Sequence, residues 1–479
     1  MTLTTQRAKA FSFYRLPDEL LLDAAAYLDN SDLQHFALTC RKLRPIAQEV
    51  LYRSPTLPDP MTEKSHVWCF LRTILLRPDL GAFVQQLKVS TTCRNVTWSH
   101  DDAACSPIYL CPLDLTETRD MMEKQLLGFK FALDSDWSEL YNQGFEPALV
   151  GAMIAILPNM NTLHLCHLRP TWPAGGRRNG GCVHAETSWY YGKTMATSFS
   201  LPKPPKLTSF TMDGSVSMLM LGMSNLQRFD ISLTTRRLTV DSAIPALPSS
   251  ISTVTIRCSL VLFVFGNIPY SDVNNNSNED KHNYIRLLIS KLPGLRHLNI
   301  AIRRPLKSDQ SNYYGTAGEF RYGTLIDLLV DAGPTLETLT IDDSNTTFLP
   351  LRHMEYWLKH PKPVATLKCF KKLRHFSARI EALHPSEIST YNIEDFFPDS
   401  IVSIEVMGRG TSEGGWLVWS EKVLALKQLG HLPALERVVL LCRHDRVLNS
   451  EYVVCEEITQ DGDSMVRRMY PSMSWESIE

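Results

Sequence analysis

The chain has 479 residues and a formal net charge of −2 at pH 7, so its charge gives no general attraction to nucleic acid or to an acidic membrane surface. No stretch approaches the roughly 20 apolar residues of a membrane-spanning helix, and the first 20 residues lack a secretory signal pattern, which favours a cytoplasmic or nuclear location. The length suits two or three domains, or one elongated repeat array.

A leucine-rich segment near the start of the chain, residues 13–52, predicts three short helices. Pro17 fits the first turn of a helix, where its missing N–H costs nothing. Acidic side chains follow at 18 and 19, where the helix dipole favours negative charge. The apolar stripe of this first helix consists of Leu20, Leu21, Ala24, Ala25 and Leu28.

Two further helices are predicted after Asn30, which is expected to end the first one. Ser31 and Gln34 have the spacing of a capping box and should begin the second helix. The third helix is predicted over 43–51, with Pro45 in its first turn. Three short helices in about 45 residues are too few to bury a good core alone, so the unit should pack on the rest of the chain or on another protein.

Several landmarks follow one another in order in this segment: Leu16-Pro17-x-Glu19-Leu20-Leu21, Leu28, Asp32-Leu33, Cys40-Arg41-x-Leu43 and Leu51-Tyr52. Together they resemble an F-box, and the closing LYRSPTL resembles the F-boxes of fungal proteins. We therefore place an F-box domain at 11–57. The resemblance implies a three-helix module that binds the Skp adaptor of a Skp–cullin–F-box ubiquitin ligase. The residues that match the adaptor-interface positions of the family are Leu16, Pro17, Leu20, Leu21, Leu28 and Leu33.

One apolar pattern recurs through the rest of the chain: an apolar residue, two others, an apolar residue, one other and an apolar residue. The alternation at the end of each copy predicts a short strand with one buried face. The copies lie at 84–89, 157–168, 207–212, 226–231, 251–256, 295–300, 336–341, 373–378, 401–406 and 435–440.

Amphipathic helices are predicted before several of these strands, at 67–80, 149–157, 285–292 and 325–329. The repeated order of helix, turn and strand resembles a degenerate leucine-rich-repeat solenoid, which we place at 58–460. The fold class is therefore α/β: a small three-helix F-box, then an irregular solenoid of alternating helices and short parallel strands. The alternative is an ordinary α/β sheet, whose buried parallel strands are also apolar.

Three segments without the repeat pattern are expected to be long insertions, at 169–206, 270–282 and 303–323. The first is rich in Gly, Pro and aromatic residues, and the second is a polar loop. Residues 461–479 are predicted to be a C-terminal tail or cap.

Polar residues of mixed charge flank the buried positions of the predicted strands. In a repeat of this type they point to the concave side, where such a surface can bind a folded protein or a peptide by complementarity. The alternative is a solvated face without a ligand. The candidate target-binding residues are Arg228, Asp230, Arg257, His297, Asn299, Asp342, His375, Arg379 and Glu405.

Motifs that would indicate chemistry are weak. His164, Cys166 and His167 lie close together, but no second ligand pair follows at a recognisable spacing, and the 11 cysteines contain no CxxC pair. The glycine-rich stretch at 175–181 lacks the Gly-Lys-Ser/Thr ending of a phosphate loop, and neither GxSxG nor HExxH occurs. We expect no enzyme activity, no cofactor and no metal, and the cysteines should be free thiols.

The sequence thus favours a substrate receptor that binds the Skp adaptor through its N-terminal helices and an unknown target protein through its solenoid. Its effect would be proximity, because binding raises the concentration of the target near the ubiquitin-charged enzyme. The alternative is a non-catalytic scaffold in which the F-box-like helices only cap the solenoid. A third hypothesis is an enzyme with an unrecognised site in the insertions. Neither nucleic acid nor a membrane is expected as a partner.

Overall fold

The structure is a computed structural model in which the described residues are 16–58, 66–91, 120–121, 124, 146–167, 206–213, 225–233, 249–259, 284–303, 322–342, 366–379, 395–409, 413–443, 452–461 and 464–469. The chain divides into two compact units, unit 1 (Met1–Thr208) and unit 2 (Ser209–Glu479). The three predicted insertions lie outside the described residues, apart from a few residues at their ends.

The first described elements of unit 1 are three helices: α1 (Asp18–Ala25), α2 (Asn30–Thr39) and α3 (Leu43–Arg53). Both α1 and α2 pack on α3, and the three helices share one small core. The buried members of this core are Leu21, Ala25, Leu33, Leu43, Ile46 and Ala47. The prediction of three short helices over 13–52 is confirmed.

The start of α2 differs from the prediction. Asp29 is its N-cap, because the backbone N–H of Asp32 donates to Asp29 Oδ1 at 2.8 Å. Ser31, which the capping-box spacing indicated, already lies inside the helix, so that prediction is wrong. Pro17 is the residue just before α1, and its carbonyl oxygen accepts from the N–H of Leu21 at 3.2 Å.

The rest of unit 1 alternates helices and strands. Its elements among the described residues are β1 (Thr56–Leu57), α4 (His66–Leu76), α5 (Pro78–Phe83), β2 (Gln86–Thr91), α6 (Glu146–Ile156) and β3 (Thr162–His167). The three strands are parallel, in the order β1-β2-β3, and their registers place Leu57 opposite Val89 and Val89 opposite Leu165. These three side chains are buried, and α4 packs against α5 and α6.

Unit 2 contains ten described strands. They are β4 (Ser209–Asp213), β5 (Arg228–Leu233), β6 (Thr253–Ser259), β7 (His297–Arg303), β8 (Thr338–Asp342), β9 (His375–Arg379), β10 (Ser403–Arg409), β11 (Arg437–Arg443), β12 (Tyr452–Asp461) and β13 (Ser464–Met469). Neighbours in sequence are neighbours in the sheet; β4 to β11 are parallel, and the last two strands are antiparallel.

Three described helices of unit 2 lie between strands: α7 (Tyr284–Ser290), α8 (Tyr322–Leu329) and α9 (Glu413–Gln428). A 3₁₀ turn, Val330–Ala332, follows α8, and α7 packs on α8. Gly430 follows the end of α9 with a φ of 80°, a left-handed conformation that glycine adopts without strain.

Alternate strand positions form the core of unit 2. The register aligns Phe210, Phe229, Val254 and Leu298 in one buried row, and the rings of the two phenylalanines stack at 5.8 Å. Two positions further along each strand, a second buried row begins with Met212. The remaining alternate positions face away from this core and are largely polar.

Each predicted strand is present, so the α/β class with parallel strands is confirmed. For example, β5 begins at Arg228, two residues after Leu226 opens the apolar pattern, and β7 begins two residues after Leu295. Helices are also present at the four predicted places. The predicted tail at 461–479 contains strand β13, and residues 470–479 lie outside the described residues.

Candidate functional site

One side of α1 is apolar and open to solvent. Pro17, Leu20, Ala24 and Tyr27 follow one another at intervals of three or four residues, so they share one side of the helix and its last turn. All four are exposed, with Leu20 at 53% and Tyr27 at 91%. The opposite side of α1 supplies the core of the three helices. We call these four residues the α1 stripe.

A further exposed apolar side chain lies on α2, where Leu38 is 75% exposed. Single exposed leucines are common, but large apolar side chains concentrated in one small element are typical of interaction surfaces. Leu20 lies on α1, Tyr27 in the turn that follows it and Leu38 on α2, so the three exposed side chains occur within 19 consecutive residues. We call the α1 stripe together with Leu38 the α1–α2 apolar surface.

The six predicted adaptor-binding residues differ in exposure. Pro17 and Leu20 are exposed, Leu16 and Leu28 are half-buried, and Leu21 and Leu33 are buried. The two buried leucines hold α1 and α2 on α3, so in the structure they support the surface rather than form it. Sequence reasoning missed Tyr27 and Leu38. The signal for Tyr27 was its spacing of seven residues, two helical turns, from Leu20.

Lys42 fixes the start of α1. Its Nζ donates to the carbonyl oxygen of Leu16 at 2.9 Å and lies 3.4 Å from Asp18 Oδ1. Because Lys42 stands directly before α3, these contacts join the first turn of α1 to the beginning of α3. The orientation of Pro17 and Leu20 is thereby set by the three-helix core and by this polar link.

The three helices are attached to the rest of unit 1 through α3 and β1. The ring of Tyr52 stacks on Phe70 of α4 at 5.9 Å with an interplanar angle of 20°. The N–H of Gln85 donates to the carbonyl oxygen of Arg53 at 3.0 Å, and Leu57 pairs with Val89 of β2. In addition, α3 packs against α5. None of these contacts involves a residue of the α1 stripe.

Burial against this attachment raises the pKa of Tyr52 above 10.0, and the positive charge of Arg77 partly opposes that rise. Arg77 is itself bonded to Asp79, with Nη2 to Oδ2 at 2.6 Å. The hydrogen bond from Arg77 holds the pKa of Asp79 below its ordinary value. The Tyr52 phenol is therefore a neutral part of the packing at neutral pH.

The nine predicted target-binding residues all lie on the polar face of the sheet in unit 2. The register places eight of them in three rows across the strands: Arg228, His297 and His375; Asp230, Asn299 and Glu405; Arg257 and Asp342. Arg379 lies two residues after Ser377 and therefore on the same side of β9. Alternation along each strand puts these rows opposite the buried phenylalanine and leucine row. The prediction that they share one face agrees with the register.

Their accessibility differs. The exposed residues are Arg228, His297, Asn299 and His375, and the half-buried ones are Arg257, Asp342 and Glu405. Asp230 and Arg379 are buried, at 5% and 3% exposure. Asp230 accepts from Arg228, with Nη2 to Oδ2 at 3.1 Å, and this ion pair occupies both side chains. A target could therefore reach His297, Asn299 and His375 more easily than the two buried residues.

A metal site receives little support from the part of the chain that the structure describes. Cys166 Sγ lies 3.4 Å from His164 Nε2, as their shared strand face predicts, but no group of three or more His, Cys, Asp or Glu side chains placed to hold a metal occurs among the described residues. Within the described ranges, no helix is both long and apolar enough to cross a membrane.

In a comparison with protein families, the model described as F-box-like matches residues 13–58. These residues include the three helices and β1, so the chain carries an F-box-like domain whose range agrees with the one inferred from the sequence landmarks. Comparison with curated proteins gives no match. The leucine-rich-repeat resemblance and the fungal type of the F-box stay predictions.

Proposed function

We propose that this chain is the substrate-recognition subunit of a Skp–cullin–F-box ubiquitin ligase. The F-box-like helices dock on the Skp adaptor, and the α/β remainder, as a degenerate leucine-rich-repeat array, holds a target protein. The chain performs no bond chemistry itself, because its contribution is to bring the target close to the ubiquitin-charged enzyme.

The single observation that carries this proposal is the α1–α2 apolar surface inside the F-box-like match. Burying one large apolar side chain contributes about 1.5–3 kcal/mol. Leu20, Tyr27 and Leu38 together therefore offer enough apolar area to serve as the energetic centre of an interface. The chain's own described elements pack on α3 and β1 and leave these side chains in solvent.

The test measures binding of the full-length chain to purified Skp adaptor. Leu20→Asp and Leu38→Asp each place a charge where an apolar contact is required, and each should weaken binding more than about tenfold, which corresponds to 1.4 kcal/mol. The matched control is Leu429→Asp in unit 2, because Leu429 is 70% exposed and lies outside the F-box-like domain. The proposal fails if the wild-type chain does not bind, or if the control loses as much affinity.

A second candidate function, a scaffold capped by the F-box-like helices, is favoured by the attachment of α3. The Tyr52–Phe70 stack and the β1–β2 pairing make these helices continuous with the sheet of unit 1. Deleting residues 1–57 would destabilise unit 1 under either function, because the deletion removes Tyr52 and β1. The aspartate variants separate the two, since a pure cap predicts no adaptor binding and no effect of Leu20→Asp on any partner.

A further inference from the structure

A depression opens on the polar face of the described strands of unit 2. It lies over β8 to β11, has a volume of about 350 Å³, and is lined by Thr340, Ser377, Glu405, Glu436 and Arg437 among others. That volume is at the lower end of the range of about 300–1,000 Å³ seen for binding pockets. A depression of this size, open on the solvent side, suits one or two side chains of a bound polypeptide.

The ionisable residues that line this depression are two carboxylates, Glu405 and Glu436, one guanidinium, Arg437, and the imidazole of His375. Arg437 is already engaged on two sides, with Nε 2.7 Å from Glu457 Oε1 and Nη1 3.6 Å from Glu405 Oε1. Glu405 keeps 38% of its side-chain surface exposed, and Glu436 is exposed without an ion-pair partner among the described residues. Arg437 is thus already paired with two carboxylates, while Glu436 keeps its charge open to solvent, so the depression attracts positive charge.

The same contacts disfavour an anionic ligand such as a phosphorylated segment. The arginine that lines the depression is bonded to glutamates, and Arg228 on the same face is bonded to Asp230. A phosphate would have to displace these carboxylates before it could reach a guanidinium. Hydroxyl groups, which bond equally well to a peptide backbone or to an ammonium, supply the other polar lining at Thr340 and Ser377.

We infer that the target of this chain presents a basic segment, which lies across β8 to β11 and inserts a lysine or arginine side chain into the depression between Glu405 and Glu436. Charge complementarity across the interface fixes this choice of partner chemistry. The inference rests on the proposed function, because it specifies the class of target that the receptor recognises.

The experiment uses fluorescein-labelled 12-residue peptides with the full-length chain and follows binding by fluorescence anisotropy. One peptide alternates serine and lysine, the second replaces each lysine by acetyl-lysine, and the third replaces it by glutamate. The lysine peptide should bind about tenfold or more tightly than either of the others, because acetylation removes the charge. Equal binding of the lysine and acetyl-lysine peptides would overturn the inference.

Variants locate the interaction. The double substitution Glu405→Gln and Glu436→Gln keeps side-chain size and should weaken binding of the lysine peptide about tenfold. Glu421→Gln on α9 is the control, because Glu421 is an exposed carboxylate that does not line the depression. A loss of equal size in the control would mean that only the general charge of the chain attracts the peptide, and would overturn the inference.

Adaptor binding is measured on the same samples, so that the two proposals can fail separately. Retained binding of the Skp adaptor together with no preference for the lysine peptide contradicts this inference alone. A clear preference for the lysine peptide without any adaptor binding contradicts the proposed function alone.

Discussion

The F-box-like helices and the sheet of unit 2 both expose one side, but the chemistry of the two sides is opposite. The open side of α1 carries Leu20 and Tyr27, whereas the open side of β7 to β11 carries hydroxyls, histidines and ion pairs such as Arg437 with Glu457. Permanent interfaces are more hydrophobic than transient ones. Under the proposed function, the helices would keep a constant partner and the sheet would exchange its partners.

Both regions depend on adjacent residues with opposite environments. Leu20 is 53% exposed and Leu21 is fully buried, while His375 is exposed and Phe376 is 1% exposed. In β9 a shift of one residue would exchange the core side and the open side, and in α1 it would turn each side chain by about 100° around the helix axis. Substitutions at these neighbours therefore test the comparison directly.

The largest effect is expected in the sheet. Phe376→Ala should lower the free energy of unfolding of unit 2 by about 3–5 kcal/mol, because it leaves a cavity beside Phe397, whose ring lies 6.2 Å away. His375→Ala, the control, should stay within about 0.5 kcal/mol. Urea denaturation followed by circular dichroism gives both values. Similar losses in the two variants would mean that the register of β9 is wrong.

In the helices, Leu21→Ala should destabilise the three-helix core by about 2–5 kcal/mol, whereas Leu20→Ala should change its stability by less than about 0.5 kcal/mol. Hydrogen exchange of the amides in α1 to α3 reports the difference. Both variants should bind the adaptor less well, Leu21→Ala through loss of the fold and Leu20→Ala through loss of contact. A large destabilisation by Leu20→Ala would contradict the exposure of the α1 stripe.

A smaller effect is expected at the start of α2. Asp29→Ala removes the cap of Asp32 N–H and should cost about 1 kcal/mol of helix stability, while Asp29→Asn should restore most of it. Ser31→Ala is the matched control and should be nearly neutral, because Ser31 lies within the helix. Thermal unfolding of the variants distinguishes the two positions. A larger loss of stability in Ser31→Ala would indicate that Ser31, and not Asp29, caps the helix.

The smallest effect concerns the attachment of α3. Because burial raises the pKa of Tyr52 in the folded chain, its ionisation opposes folding once the pH passes the ordinary value of 10.0, and stability is lost as the pH rises through the folded value. Wild type should therefore lose more stability between pH 8 and pH 11 than Tyr52→Phe, which keeps the stack on Phe70. Identical losses in urea titrations would show that Tyr52 is not buried there.

The strands were predictable because their pattern is local. Two buried positions per strand, such as Phe229 and Ile231, repeat the same spacing, and the register of parallel neighbours follows from it. Strand β1 has only two residues, and β12 and β13 form an antiparallel pair without the repeated pattern, so the sequence did not indicate them.

The candidate site was predictable only in part, because exposure depends on what lies over a residue. Spacing placed Asp230 and Arg379 correctly on the polar face, but it could not reveal that both are buried there. Similarly, the family landmarks included Leu21 and Leu33, which pack inward, and omitted Tyr27 and Leu38, which are open. The cap at Asp29 was missed because two acceptable capping side chains, at 29 and 31, compete within one turn.

Side-chain footprinting tests most directly whether a foreign subunit covers the apolar side of α1 and α2. Hydroxyl-radical oxidation rates would be measured for the full-length chain with and without saturating Skp adaptor. Tyr27 and Leu38 should be protected several-fold in the complex, and Leu429, which is nearly as exposed as Leu38 in the chain alone, should react at an unchanged rate. Adaptor binding that leaves the oxidation of Tyr27 and Leu38 unchanged would contradict the account.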